Sequence, residues 1–131
     1  MKTINVIIIT VILFTGAVIA LNKFSPHQSA TSDVQVNNVS IVNGVQVITI
    51  TAKGGYSPRI SNAKAHIPTI IRMQTNNDFD CSSSVSIAAI GFRLVLKSSG
   101  TTDIPVPAQN PGTVIQGLCG MGMYNFTINF N

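Results

Sequence analysis

Short runs of alternating apolar and polar residues make up most of the chain after residue 33. In the run 45–52, every second residue from Gln46 to Ala52 would share one face of a strand, and the others would share the opposite face. In the run 124–130, aromatic and aliphatic residues alternate with Asn and Thr. A period of two residues is typical of β-strands, and no helical period longer than one turn runs through this region. The pattern therefore predicts an all-β domain.

Turn residues divide this domain into candidate strands. The segment 54–59 is interpreted as a turn because it contains Gly54, Gly55 and Pro58. The predicted strands lie at 34–42, 44–53, 67–75, 85–90, 91–97, 101–106, 112–118 and 124–130. Seven or eight short strands at this spacing predict a β-sandwich or a barrel.

An apolar segment precedes the domain. The 18 residues Ile4–Leu21 are almost all apolar, and Lys2 and Lys23 flank them. As a helix this segment would be about 27 Å long, close to the ~30 Å hydrocarbon core of a bilayer. An uncleaved signal anchor over residues 1–23 is favoured, which makes a single-pass membrane protein with its domain outside the cytoplasm. A cleaved signal peptide ending near Ala20 is the alternative, and it makes a periplasmic or secreted protein.

Composition agrees with a small exported domain and argues against nucleic-acid binding. Residues 24–33 are polar and are interpreted as a stalk, which leaves residues 34–131 for one domain. Hydrophobic residues make up 45% of the chain and charged residues 9%, which suits an exported β-rich protein. The formal charge is +4, but Lys2 and Lys23 flank the apolar segment and leave six basic residues against four acidic ones. Because no run of Lys or Arg is present, nucleic-acid binding is not expected.

Acid–base catalysis is not expected either. The chain has two His, four acidic residues and no Glu. Asp78 and Asp80 precede Cys81 in a loop rich in Ser and Asn, where carboxylates are usually solvated turn formers. No Gly-rich loop opens a helix, so a phosphate-binding loop is absent from the sequence. We therefore expect a protein that is not an enzyme.

Two cysteines lie in loops between predicted strands. Cys81 follows the third predicted strand, and Cys119 directly precedes the last one. An even cysteine count in an exported protein favours a disulfide. Closing this loop would stabilise the fold by about 4 kcal/mol if the geometry permits.

Two methionines add a second interpretation. Cys119, Met121 and Met123 stand at alternate positions, with Gly120 and Gly122 between them. In an extended segment the three sulfur atoms would face one side, and thioether sulfur suits Cu(I) and Ag(I). Core packing would explain the methionines, but it does not explain Gly at both spacers, because Gly weakens a strand. The segment is therefore a candidate soft-metal site.

Three segments of the domain carry motifs that are specific in combination. They are GGYSPRISNAKAHIPTIIRMQTNNDFDCS, IGFRLVLKSSGTTDI and PGTVIQGLCGMGMYNFTINF. Together they resemble the cupredoxin-like domain family, and in particular its exported single-domain branch of EfeO type. The resemblance implies a Greek-key β-sandwich of seven to eight strands with copper as the ligand.

The resemblance also implies ligand positions. Cys81 stands where blue-copper members have their first His, Cys119 matches their loop Cys, Met123 matches their axial Met, and Met121 stands near their second His. A trigonal blue-copper site needs two imidazoles and one thiolate, whereas this set has no imidazole. His66 is not expected to supply one, because about ten strand residues at ~3.3 Å each separate it from Cys81. The implied site is all sulfur and suits Cu(I).

The expected function is copper handling. We expect an exported, membrane-tethered protein that holds Cu(I) through Cys and Met sulfur as a carrier, buffer or delivery module. A copper-transport or copper-receiving protein is the expected partner. Two alternatives stay open: a metal-free structural or binding module with a disulfide between Cys81 and Cys119, and a cupredoxin electron carrier.

Overall fold

Ten β-strands and two short 3₁₀ helices form the part of the chain that the computed structural model describes, residues 37–77 and 79–131. The strands are β1 Val39–Val42, β2 Val45–Ala52, β3 Tyr56–Ser57, β4 Ile60–Ala63, β5 Thr69–Thr75, β6 Ser84–Ile87, β7 Phe92–Val95, β8 Gly100–Val106, β9 Val114–Cys119 and β10 Asn125–Phe130. The 3₁₀ helices are Cys81–Ser83 and Ala88–Ile90. Within the described residues, no helix is long and apolar enough to cross a membrane. The anchor predicted at 1–23 and the stalk predicted at 24–33 lie outside them.

The strands form two mixed sheets. The first has the order β1-β2-β5-β8, with β3 paired to β2, and the second has the order β4-β10-β9-β6-β7. The β2–β5 and β4–β10 pairs are parallel, and the other pairs are antiparallel. Buried side chains from both sheets form one cluster, so the architecture is a β-sandwich. The predicted all-β class is confirmed.

The inward face of β2 is the one that its alternation predicts. Its three apolar members, in the range Ile48–Ala52, have no exposed surface, and Gln46 is equally buried. A buried amide is costly without hydrogen-bond partners. Gln46 has them, because its Nε2 donates to Thr69 Oγ1 at 3.0 Å and its Oε1 accepts the backbone N–H of Lys64 at 2.8 Å.

The last strand supplies the aromatic part of the core. Phe126, Ile128 and Phe130 are fully buried, as the pattern predicts. Gly117 of β9 lies opposite Phe126 in the register, and a Cβ at Gly117 would lie 2.2 Å from the Phe126 ring. Gly117 therefore makes room for the ring, and Tyr56 packs edge-on against it, with ring centroids 5.1 Å apart.

The prediction of seven to eight strands misses two strands, β3 and β4. Both lie where the sequence suggests turns and loops. In β4 the large residue, Ile60, is 52% exposed, whereas the small residues Ser61 and Ala63 face inward. Ser61 accepts a hydrogen bond from Asn38 Nδ2 at 2.8 Å. A strand with this reversed pattern gives no apolar signal, because its place depends on pairing with β10.

One end of the sandwich collects the segments that carry the predicted ligands. Strand β9 ends at Cys119, and Cys119 pairs with Val85 of β6. The loop after β5 leads to Cys81, just before β6. Because β6 and β9 are antiparallel neighbours, the start of one and the end of the other meet at the same edge of the second sheet.

Candidate metal centre

The loop that carries Cys81 is held by Asp80. Cys81 opens the first 3₁₀ helix, and Asp80 is its N-cap. One carboxylate oxygen of Asp80 accepts the backbone N–H of Ser82 at 2.6 Å and also the Ser82 hydroxyl. The other oxygen accepts the backbone N–H of Gly54, in the turn after β2. Asp80 is therefore a turn former, as the sequence suggests, and its carboxylate also joins two loops. Asp78 lies outside the described residues.

Cys81 and Cys119 are in direct contact. Cys119 is only 2% exposed, Cys81 is half-buried, and both are free thiols. Their Sγ atoms are 2.7 Å apart, and the Cys81 thiol donates to the Cys119 sulfur. A covalent S–S bond is shorter, about 2.05 Å. Two sulfur ligands of one tetrahedral ion would be about 3.8 Å apart at metal–sulfur distances of ~2.3 Å, so the pair must open by about 1 Å to admit an ion.

The segment after Cys119 is a turn. Strand β9 ends at Cys119, and the Gly122 N–H donates to the Cys119 carbonyl at 2.8 Å. Gly122 has a φ of +71°, which glycine adopts without strain. A Cβ at Gly120 would lie 2.7 Å from Ser84 Oγ, so glycine lets the turn approach β6. The prediction of an extended segment with three sulfur atoms on one side is therefore wrong, and each glycine has its own structural reason.

This turn directs backbone N–H groups at the buried sulfur. The Tyr124 N–H donates to Cys119 Sγ at 3.3 Å, and the N–H groups of Met121 and Met123 add to this contact. Burial raises the pKa of Cys119, but the hydrogen bonds from the Cys81 thiol and the three N–H groups outweigh it and lower the pKa to about 7. The pKa of Cys81 is raised, mainly because its thiol donates to Cys119. Near neutral pH, Cys119 is therefore partly ionised, whereas Cys81 keeps its proton.

Both predicted methionine ligands lie at the surface. Met121 is 78% exposed and Met123 is 63% exposed, so neither fills the core. Across residues 37–77 and 79–131, no three His, Cys, Asp or Glu side chains are grouped to hold a metal ion. Beyond the two cysteines, the soft ligand atoms offered by the adjacent turn are the two thioether sulfurs.

An aromatic wall lies next to the thiols. Tyr56 is 5% exposed, and its ring meets the Phe126 ring at 81°. Burial raises the pKa of Tyr56, and the charges of Cys119, Cys81 and Asp80 raise it further. The phenol therefore stays neutral beside the cysteine pair at physiological pH.

Comparisons with known proteins identify the fold. No family model matches the chain, and no curated protein matches it. Among solved structures, the chain is similar to the metal-binding domain of a Cu(I)-exporting P-type ATPase, CopA of Streptococcus pneumoniae D39, which was solved with Cu(I). The TM-score is 0.64, and the identity is 24% over 71% of this chain and 92% of that one. A copper binding protein in its apo form, solved by NMR, has a TM-score of 0.64 and 19% identity over 71% and 94% of the two chains. The cupredoxin auracyanin B has a TM-score of 0.50 and 9% identity over 72% and 95%.

The fold is cupredoxin-like. Identities this low show the architecture alone, and they agree with the family resemblance of the sequence at that level.

His66 lies far from the cysteines in this cupredoxin-like domain. It is exposed, has a φ of +62° and stands in the turn before β5. Its backbone N–H donates to the Gln109 carbonyl at 2.8 Å. Cys81 follows the opposite end of β5, so His66 is remote from the site, as the sequence predicts.

Sequence reasoning gave no role in the candidate site to three residues that support it. Asp80, Tyr56 and Ser84 come from three segments, and none stands in a recognisable metal motif. An acidic residue directly before Cys81 was a usable signal, because Asp is a favoured N-cap. Tyr56 belongs to the first segment of the family resemblance, but its burial beside the cysteines was not predictable, because the segment has the composition of a turn.

Proposed function

We propose that this chain is an exported, membrane-tethered copper-binding protein of the EfeO-type cupredoxin-like branch. It holds Cu(I) through Cys81, Cys119 and Met123, with Met121 as a further candidate ligand. Its role is copper handling, as a carrier, buffer or delivery module, and not catalysis. Its partners are the copper ion, the membrane through residues 1–23, and a copper-transport or copper-receiving protein.

The observation that carries the proposal is the contact of two thiols at 2.7 Å beside a turn that bears two exposed methionines. Thiolate and thioether are the soft ligands that select Cu(I). The pKa of about 7 at Cys119 means that one ligand sheds its proton near neutral pH. Two of the similar structures support copper as the cargo, since one is described with Cu(I) and the other as a copper binding protein.

An anaerobic Cu(I) competition titration of the reduced full chain tests the proposal. We expect one Cu(I) per chain, and an affinity that falls by more than about 100-fold in Cys81→Ser or Cys119→Ser, since a lost ligand costs more than the 10–100-fold typical of a lost supporting residue. Unchanged affinity in both variants would show that the assigned site is wrong. Unfolding curves of the metal-free variants separate loss of a ligand from loss of the fold.

The methionines need a separate comparison. Met123→Leu and Met121→Leu keep the volume of the side chain and remove the thioether. Met73→Leu is the matched control, because Met73 is fully buried in β5. We expect weaker Cu(I) binding in Met123→Leu and no change in the control.

The same contact favours one alternative, a metal-free binding or structural module with a disulfide between Cys81 and Cys119. A 2.7 Å approach is close enough that oxidation needs little movement. Thiol counting on protein purified without reductant distinguishes the two functions. Two reactive thiols that Cu(I) protects support copper handling, whereas a persistent disulfide in protein taken from its native compartment supports the module.

A further inference from the structure

A cleft lies beside the turn that carries the methionines. Its lining residues are Lys53–Ser57, in the turn after β2 and in strand β3, together with Arg59 and Met123–Asn125. Its volume is about 510 Å³, which is the size of a site for a small organic molecule. Gly55 has a φ of +131°, and the Tyr124 ring lies 3.5 Å from where its Cβ would be. The ring therefore packs against the backbone at Gly55, and the positive φ is the reason for glycine there.

Two cations line this cleft. Lys53 and Arg59 are exposed, and the lining residues include no carboxylate. Arg59 makes one long hydrogen bond, 3.4 Å, to Asn125 Oδ1, and a guanidinium has five N–H donors. Asp80 borders the cleft, because one of its carboxylate oxygens accepts the Gly54 N–H and the other accepts the Ser82 N–H, so one carboxylate stands against the two cations. The charge of the cleft therefore matches a ligand that carries a carboxylate.

The cleft adjoins the cysteine pair. Tyr124 lines it, and the backbone N–H of the same residue donates to Cys119 Sγ at 3.3 Å. Met123, a proposed ligand, lines it as well. The lining of the cleft thus offers both cations and soft sulfur to a bound molecule.

We infer that this cleft binds a small anionic thiol that bears a carboxylate and carries Cu(I) to the cysteine pair, an inference that rests on the proposed function. Lys53 and Arg59 hold the carboxylate, and Met123 stands at the edge where the copper passes. Copper remains Cu(I) throughout. The bond from copper to the carrier sulfur breaks as bonds to Cys119 and Cys81 form, and the carrier thiolate leaves with the proton that Cys81 gives up.

Metal-free binding is the first test. The probes are N-acetylcysteine and its neutral amide, which differ in the carboxylate, added without oxygen to the ¹⁵N-labelled, reduced, full chain. We expect N-acetylcysteine to shift the amide signals of Gly54, Gly55 and Tyr124, and the amide to leave them in place. Lys53→Gln/Arg59→Gln should abolish these shifts, and Lys97→Gln, an exposed cation that is not among the cleft residues, should not. Equal shifts with both probes, or shifts that persist in the double variant, would overturn the inference.

Copper delivery is the second test. The measured quantity is the ratio of the rates at which the full chain takes Cu(I) from N-acetylcysteine and from its amide. The double variant should lower this ratio by about three- to tenfold, as for the loss of two exposed ion pairs. Equal slowing with both donors would show that the cations only stabilise the copper-bound thiolates, which rejects the cleft as a carrier site.

The two hypotheses fail in different ways. If Cys81→Ser and Cys119→Ser keep full Cu(I) affinity, the proposed function fails whatever the cleft binds. If they lose affinity while Lys53→Gln/Arg59→Gln leaves both probe binding and the rate ratio unchanged, the inference about the cleft fails alone.

Discussion

At the scale of single residues, the two cysteines have opposite roles although they touch. Cys119 is buried and receives the Cys81 thiol and three backbone N–H groups. Such donors stabilise a thiolate more than a thiol. Cys81 is the donor of the pair, so its proton is held more tightly. The pair therefore loses its protons in two separate steps, which belong to the pair as a whole.

A pH titration checks this asymmetry. We expect the thiolate absorbance near 240 nm of the reduced, metal-free chain to rise in a first step with an apparent pKa of about 7, and in a second step above the ordinary thiol value of 9.0. The Cys81→Ser variant replaces the thiol donor with a hydroxyl donor. Because the hydrogen bond from Cys81 contributes to the pKa of Cys119, the apparent pKa of Cys119 should then differ from about 7. A single transition of both thiols near the ordinary value would contradict the geometry of the pair.

At the scale of elements, the pairing of β9 with β10 depends on one glycine. The Phe126 ring occupies the space above Gly117, where a Cβ would lie 2.2 Å from ring carbons. Phe126 is fully buried and also meets the Tyr56 ring, so it has little room to move. A methyl group at this point must displace the ring or the strand.

We therefore expect Gly117→Ala to lower the free energy of unfolding by about 1–3 kcal/mol, the usual cost of overpacking a core. Urea unfolding of the reduced chain measures it. Gln116→Ala is the matched control, because Gln116 is exposed on the same strand and should change stability by less than about 0.5 kcal/mol. Adding Phe126→Leu should recover part of the loss in Gly117→Ala. Equal free energies of unfolding for Gly117→Ala and the control would contradict this prediction, because they would mean that the Phe126 ring can move away from the added methyl group without cost.

Much of this fold was predictable because its strongest strands bury every second residue. The inward faces of β2 and β10 are those that the alternation predicts. Strand β4 was not predictable, since Ser61 and Ala63 face the core while Ile60 faces out. Its place depends on pairing with β10 about 67 residues later, which no local pattern encodes.

The candidate site was predictable only as a set of ligand types. The sequence and the family resemblance name Cys81, Cys119 and the two methionines, and the fold brings the cysteines together. The turn at 120–123 was not predictable from alternation, because tertiary contact with Ser84 bends it. The cleft cations were missed for the same reason, as Lys53 and Arg59 approach Met123 only after both sheets form.

At the scale of the whole molecule, the cysteine pair joins segments that are distant in the chain. Cys81 lies on the connection between the two sheets, and Cys119 lies at the end of a strand of the second sheet. An ion held by both cysteines would close a loop of 38 positions. Because the fold has already brought the two sulfur atoms together, the ion should bind the folded chain more tightly than the unfolded chain. Ligand binding of this kind raises the free energy of unfolding by mass action.

Cu(I) should therefore stabilise the reduced full chain. The limit is about 4 kcal/mol at a free concentration 1,000 times the Kd, and thiols of the unfolded chain reduce it by binding copper as well. For a domain of about 100 residues, even about 1 kcal/mol raises the Tm by roughly 4–8 °C. Anaerobic thermal unfolding with buffered Cu(I) measures the shift, and the Cys81→Ser/Cys119→Ser variant is the control that should show none. A disulfide would also raise the Tm, but a Cu(I) chelator that does not reduce disulfides reverses the copper effect and leaves a disulfide intact. Stabilisation that persists in the double variant would place the copper elsewhere, and stabilisation that only a reductant removes would identify the chain as the disulfide-linked module.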